Sequence, residues 1–105
     1  MSAARHHFVV SDSLNVPLRG QLLRLRVTAE ALPLSAVAVG SVLTVHAPDG
    51  RARDVHILDH SITGGRVTQG RLDRVRELDV IVPSQEAFID GDTIGIGWTV
   101  RAAIG

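Results

Sequence analysis

Residues 86–101, EAFIDGDTIGIGWTVR, constrain the fold more than any other stretch. A short apolar plug, Ala87-Phe88-Ile89, leads into the turn Asp90-Gly91-Asp92. Ile94, Ile96, Trp98 and Val100 then occupy every second position, which predicts a strand with one buried face. Gly95 and Gly97 fall on its other face, where the missing Cβ permits close backbone approach or strong curvature. A strand of this kind near the end of a short chain is expected to close a small β-barrel.

The preceding chain supplies short strands broken by turns. Residues 1–5 read as a loose end, and Phe8-Val9-Val10 as a first strand. Turn formers over 12–17 surround the apolar anchors Leu14 and Val16. In a second strand over 21–28, Leu23, Leu25 and Val27 alternate with Arg24 and Arg26, giving a dry face and a charged one. Residues 30–39 carry Pro33 and stop at Gly40, and are expected to form a loop or at most one turn. A hairpin follows: a strand over 41–46, a tight reversal at Ala47-Pro48-Asp49-Gly50, and a return over 53–59 with Val55 and Ile57 inward. With Gly50 as pivot, His46 should face Asp54 and His56 should face Thr44. Residues 61–70 read as a glycine-rich loop with a short strand at Val67. Leu72, Val75 and Leu78 recur at helical spacing and leave 71–77 undecided between helix and coil. Leu78, Val80 and Val82 alternate again up to Pro83.

Six to seven such strands predict an all-β fold: one closed or nearly closed antiparallel barrel, Greek-key-like, with little or no helix, spanning 1–105 as a single domain. Phe8, Phe88 and Trp98 are the only aromatics, so the core must be aliphatic.

Several chemistries are excluded or made unnecessary by composition. With no Cys there are no disulfides and no thiolate zinc sites. The start of the chain lacks a signal-peptide apolar run, and no segment reaches the roughly 18 apolar residues of a membrane span. A soluble cytoplasmic protein without membrane contact is expected. The formal charge is zero, with 11 basic and 11 acidic residues, so a duplex-binding basic excess is missing. Every basic residue is Arg, a usage that a GC-rich genome explains; the absence of Lys also removes any phosphate-binding P-loop lysine, and with it GTP.

His46, His56 and His60 are the weak candidates for a metal site, with Asp59 among them. Ligands two apart on one strand are about 7 Å apart, so a site would need a further ligand from another strand; the plainer reading is exposed hairpin histidines. Asp59-His60-Ser61 cannot form a catalytic triad in an extended chain, because adjacent side chains point to opposite faces. His6-His7 reads as a disordered or edge feature. Neither an enzyme nor a cofactor is expected.

In order, several landmarks resemble domain 2 of the translational GTPases, the β-barrel after the G domain in elongation factor Tu. They are Phe8, Asp12, Pro17 and Arg19-Gly20; then Val39-Gly40 before Val42, Leu43 and Val45; then Asp49-Gly50 before Val55 and Ile57; and Ala87, Gly91-Asp92, Ile94 and Ile96. The similarity runs over about residues 8–100. It departs where the strand after Arg19-Gly20 lacks a further Gly, where 61–75 has no counterpart of the segment receiving the aminoacyl end of tRNA, and in lacking a G domain. The resemblance implies a fold and a binding habit without GTP hydrolysis.

The function expected is therefore that of a stand-alone, non-catalytic binding module for a protein or a structured RNA. Its contacts would come from Arg19, Gly20, the Arg24 and Arg26 face, and the loop over 61–76, where Arg66, Arg71, Arg74 and Arg76 cluster, with Trp98 marking a docking patch if half exposed. The rival readings are a structural or homodimeric module, joined through the strand at 78–82 or through Trp98, and a small metal protein or enzyme using the hairpin histidines.

Overall fold

A computed structural model describes residues 6–60 and 67–103. Its strands are β1 (Phe8–Val16), β2 (Gly20–Val27), β3 (Val42–His46), β4 (Ala52–His56), β5 (Glu77–Val82), β6 (Phe88–Ile89), β7 (Asp92–Thr93) and β8 (Thr99–Ala102). One helix, α1 (Gln69–Val75), and 3₁₀ turns at Leu34–Val37 and Ser84–Glu86 complete the described elements, more helix than the sequence predicts. The fold is mostly β. No described helix is long and apolar enough to cross a membrane.

The main sheet has six antiparallel strands in the order β4-β3-β8-β1-β2-β5, and β6 and β7 pair separately. β8 is the seam: it sets Val100 opposite Phe8 on one side and opposite Val45 on the other. The paired strands leave β4 and β5 as edges, where the sequence predicts a closed or nearly closed barrel. These edges touch at one bridge beyond the end of β4. Leu58 N–H donates to Ile81 O at 2.7 Å, and Ile81 N–H donates to Asp59 O at 2.9 Å.

One face of the sheet packs an aliphatic core of Val10, Leu23, Leu25, Leu43, Val45, Val55, Val80, Val82 and Val100 around Phe8. Residues two apart on each strand share that face, which is why alternation identified it. Leu22 and Ile81 are buried too, but lie on the opposite face, outside this core.

β1 runs to Val16, through most of the turn expected over 12–17, because pairing with β2 gives its backbone groups a full ladder that outweighs the local preference of Asp, Ser and Asn for turns. Between Val10 and Asp12 the register slips by one residue, a bulge at Ser11. The expected strand over 94–100 breaks opposite that bulge. Gly97, at φ 92°, donates to Val10 O at 2.8 Å, and Trp98 N–H returns to Gly95 O. Ile94, Trp98 and Val100 stay buried, while Ile96 is 72% exposed at the tip. The alternation at 94–98 thus belongs to a glycine-flanked turn, and only β8 is strand. In the apolar plug, Ala87 and Ile89 are buried and Phe88 is exposed.

The helical spacing in the undecided segment resolves into α1. Thr68 Oγ1 accepts the Arg71 N–H, Leu72 is buried, and Arg76 at φ 62° ends the helix. Leu78 already belongs to β5. Of the expected loop over 61–70, Gln69 and Gly70 open α1, Val67 is not in a strand, and 61–66 lie outside the described residues, as does the loose end at 1–5.

His7 is a tie rather than a disordered or edge residue. Its N–H donates to Val100 O, and its carbonyl accepts from Thr28 and Ala29. Its Nδ1 accepts the Ala102 N–H at 2.9 Å. Protonation at Nδ1 removes that acceptor. Burial, then Arg101, then His6 hold the His7 pKa below its ordinary 6.5. Above pH 6.5 both folded and unfolded chains carry neutral His7, and there is no penalty. As pH falls through that value the unfolded chain protonates first, so stability is lost until the lower, folded pKa is passed. We expect urea midpoints measured between about pH 7.5 and 5.5 to fall more steeply for the wild type than for His7→Ala. Equal slopes would remove His7 as the source.

Candidate interaction surface

Because β2 and β5 are antiparallel neighbours, Arg24 faces Asp79 and Arg26 faces Glu77. Arg24 forms two parallel hydrogen bonds to Asp79, Nε to Oδ1 at 3.0 Å and Nη2 to Oδ2 at 3.3 Å. Those bonds raise its pKa, first by hydrogen bonding to Asp79 and then by that carboxylate's charge. Glu77 also leans toward Arg24, with Oε1 3.8 Å from Nε. Arg26 is left exposed and without an ion pair among the described residues.

Other arginines are committed to the fold. Arg19 Nη2 meets Asp59 Oδ2 at 3.1 Å. Arg53 donates to Phe88 O at 3.0 Å, and Arg76 donates to the carbonyls of Ala29 and Glu30. Arg51 reaches Asp49, Asp90 and Asp92, and so ties the β3–β4 turn to the β6–β7 turn. Its pKa is raised, chiefly by hydrogen bonds to Asp49 and then Asp92, while Asp49 is lowered by the same guanidinium.

Arg71 and Arg74 project from α1 into solvent, one helical turn apart, without an ion pair among the described residues. The acid between them, Asp73, accepts a hydrogen bond from Gln69 Nε2 at 2.9 Å. The Arg76 carbonyl accepts the Val27 N–H at 2.9 Å, which brings the end of α1 beside the end of β2 that carries Arg26. Arg26, Arg71 and Arg74 therefore gather at one end of the sheet.

The expected site is split by this arrangement. Arg19 and Gly20 lie at the opposite end of β2, about 20 Å from Arg26 at the usual rise per residue. Gly20 is a packing residue: a Cβ there would lie 2.2 Å from Val82 O. Arg24 is neutralised by Asp79. Trp98 is 8% exposed and belongs to the core, so it is not a half-exposed docking patch. Arg66 lies outside the described residues. One exposed feature fell outside the expected set, Leu18 at the β1–β2 turn. The signal for Leu18 was Pro17, which favours the second position of a turn and so places residue 18 at its tip.

The hairpin histidines diverge. His46 pairs with Ala52 and His56 with Val42, two residues tighter than a Gly50 pivot predicts, because Ala47 N–H bonds Arg51 O across the turn. His56 Nδ1 lies 3.0 Å from Glu86 Oε2, and its N–H donates to Glu86 Oε1 at 2.8 Å. His60 Nε2 donates to Val37 O at 2.6 Å. No group of three or more metal-ligating side chains occurs among the described residues. Ser61 lies outside them.

For the dimer reading, Leu58 and Asp59 already occupy the β5 edge at Ile81, and Glu86 covers the β4 edge at His56. Compared with family models, curated proteins and solved structures, the chain matches none.

Proposed function

We propose that the protein is a non-catalytic binding module of the translation-factor barrel type, and that it holds a structured RNA through its phosphates. Arg26, Arg71 and Arg74 make the contacts. One observation carries this reading: on a chain of zero formal charge, these arginines are exposed and have no ion pair among the described residues, while their neighbours are spent on acids and carbonyls. A guanidinium grips phosphate oxygens two at a time, which favours a fixed backbone geometry over base reading. No aromatic side chain accompanies the patch, so a base-paired stem suits it better than an unstacked strand. The bridge between β4 and β5 supports a nearly closed barrel as the scaffold.

Fluorescence anisotropy with a labelled RNA hairpin tests the proposal. Wild-type affinity should fall with salt, and replacing Arg26, Arg71 and Arg74 by Gln should lower the log–log salt slope by about 2 to 3. The variant should keep its thermal midpoint, since exposed arginines contribute little to the fold. Absence of binding at about 50 mM salt, or an unchanged slope, would rule the proposal out.

A further inference from the structure

Arg26 has an acid directly across from it and yet no ion pair. Its neighbour on β5 is Glu77, and on β1 it faces the uncharged Val9. Side chains facing each other across antiparallel strands stand about 4.5–5.5 Å apart at Cβ, and diagonal ones about 7–8 Å. Strand geometry alone therefore pairs Glu77 with Arg26. Glu77 instead takes the diagonal, with Oε1 3.8 Å from Arg24 Nε.

Arg24 is already satisfied there. Its Nε and Nη2 donate to Asp79, and Asp12 faces it from β1. Three acids thus surround one guanidinium, while Arg26, two residues on, holds none among the described residues. At 3.8 Å Glu77 adds attraction to Arg24 without a hydrogen bond. Arg24 and Glu77 are 44% and 42% exposed at their side chains, and ion pairs this open to water differ little in strength. Glu77 accordingly has two positions close in free energy: beside Arg24, or on Arg26. In the second its carboxylate takes the same fork of N–H donors that a phosphate would use.

We propose, resting on the RNA reading, that Glu77 is an internal competitor for the phosphate held by Arg26, and that Arg24 is a positioning residue that draws Glu77 aside and keeps the site open. Arg24 does this without touching RNA. Losing its charge lets Glu77 turn onto Arg26, and binding then weakens without vanishing, because Arg71 and Arg74 lie on α1, beyond the reach of this exchange.

Anisotropy titrations of the labelled RNA hairpin test the inference with Glu77→Gln, Arg24→Gln and the two combined, each with Arg26 present and with Arg26→Gln. Gln keeps the size and removes the charge, and the combined variant has the net charge of the wild type. With Arg26 present, Glu77→Gln should tighten binding about twofold in the wild type, the general effect of losing a nearby anion, and about fivefold or more in the Arg24→Gln chain. With Arg26→Gln, the two factors should be equal. Urea midpoints of all the chains should stay close to the wild type, because these pairs are exposed. Equal factors with Arg26 present overturn the inference and leave the RNA reading standing, as does a weakening by Arg24→Gln that Glu77→Gln cannot reverse, the mark of an Arg24 that grips phosphate itself. Weakening that follows a fall in the urea midpoint overturns it as well. No binding by any of the chains overturns the RNA reading and the inference together.

Discussion

Replacing Gly20 by Ala is expected to cost about 3–5 kcal/mol, enough to unfold a large fraction of a domain whose whole stability is about 5–15 kcal/mol. Gly20 has φ 137°, a conformation L side chains avoid. Its added Cβ would sit 2.2 Å from Val82 O and 3.2 Å from Ile81 Cγ2. The first obstacle is backbone in the neighbouring strand, so relief requires β2 and β5 to part where Gln21 faces Val82. Gly91→Ala is the control: φ is 87° and nothing lies within 4 Å, so only backbone strain of about 1 kcal/mol applies. Urea unfolding of both variants decides it. If Gly20→Ala matched Gly91→Ala in stability, the close approach of β2 to β5 would be wrong. The same experiment separates the two roles open to Gly20, since a purely ligand-contacting glycine would lose binding and keep the fold.

Phe8→Ala should cost about 3–5 kcal/mol, through the lost transfer of the ring and the cavity left behind. Phe8 is fully buried and faces Val27 on one side and Val100 on the other. It therefore fills the place where β1, β2 and β8 meet, and rigid strands on both flanks limit collapse into the cavity. Phe88→Ala should cost about 1 kcal/mol or less, because that ring is partly in water. Calorimetry that found the two substitutions equally costly would overturn the assignment of Phe8 to the core.

What was legible in the sequence was what local pattern encodes. Alternation of Leu23, Leu25 and Val27 against Arg24 and Arg26 marked the inner and outer faces of β2, and Pro48-Asp49-Gly50 marked the β3–β4 turn. The hairpin register was missed by two residues, because turn chemistry names the turn without fixing which amide closes it. A slip of two leaves every side chain on its face, so Val45 and Val55 were still placed inside. Ile96 was misread because period two looks the same in a strand and in a turn whose neighbours are both buried. The proposed binding surface was least legible. Whether an arginine is free depends on its cross-strand neighbour, and Asp79 could be matched to Arg24 only once β2 and β5 were known to pair. Leu18 was passed over because isolated surface leucines are ordinary; its left-handed backbone is what sets it apart.

The position of β8 between β1 and β3 governs how the chain can be made. Pairing β1 with β8 joins residues separated by some ninety positions, a costly loop to close, and such non-local contacts slow folding. During synthesis from the N-terminus, the β1–β2–β5 block and the β3–β4 hairpin can each assemble early. Until Ala102 emerges, Phe8 and Val45 have only water across the gap. A nascent chain halted before β8 is two adhesive half-sheets, and holding them apart becomes a task for chaperones.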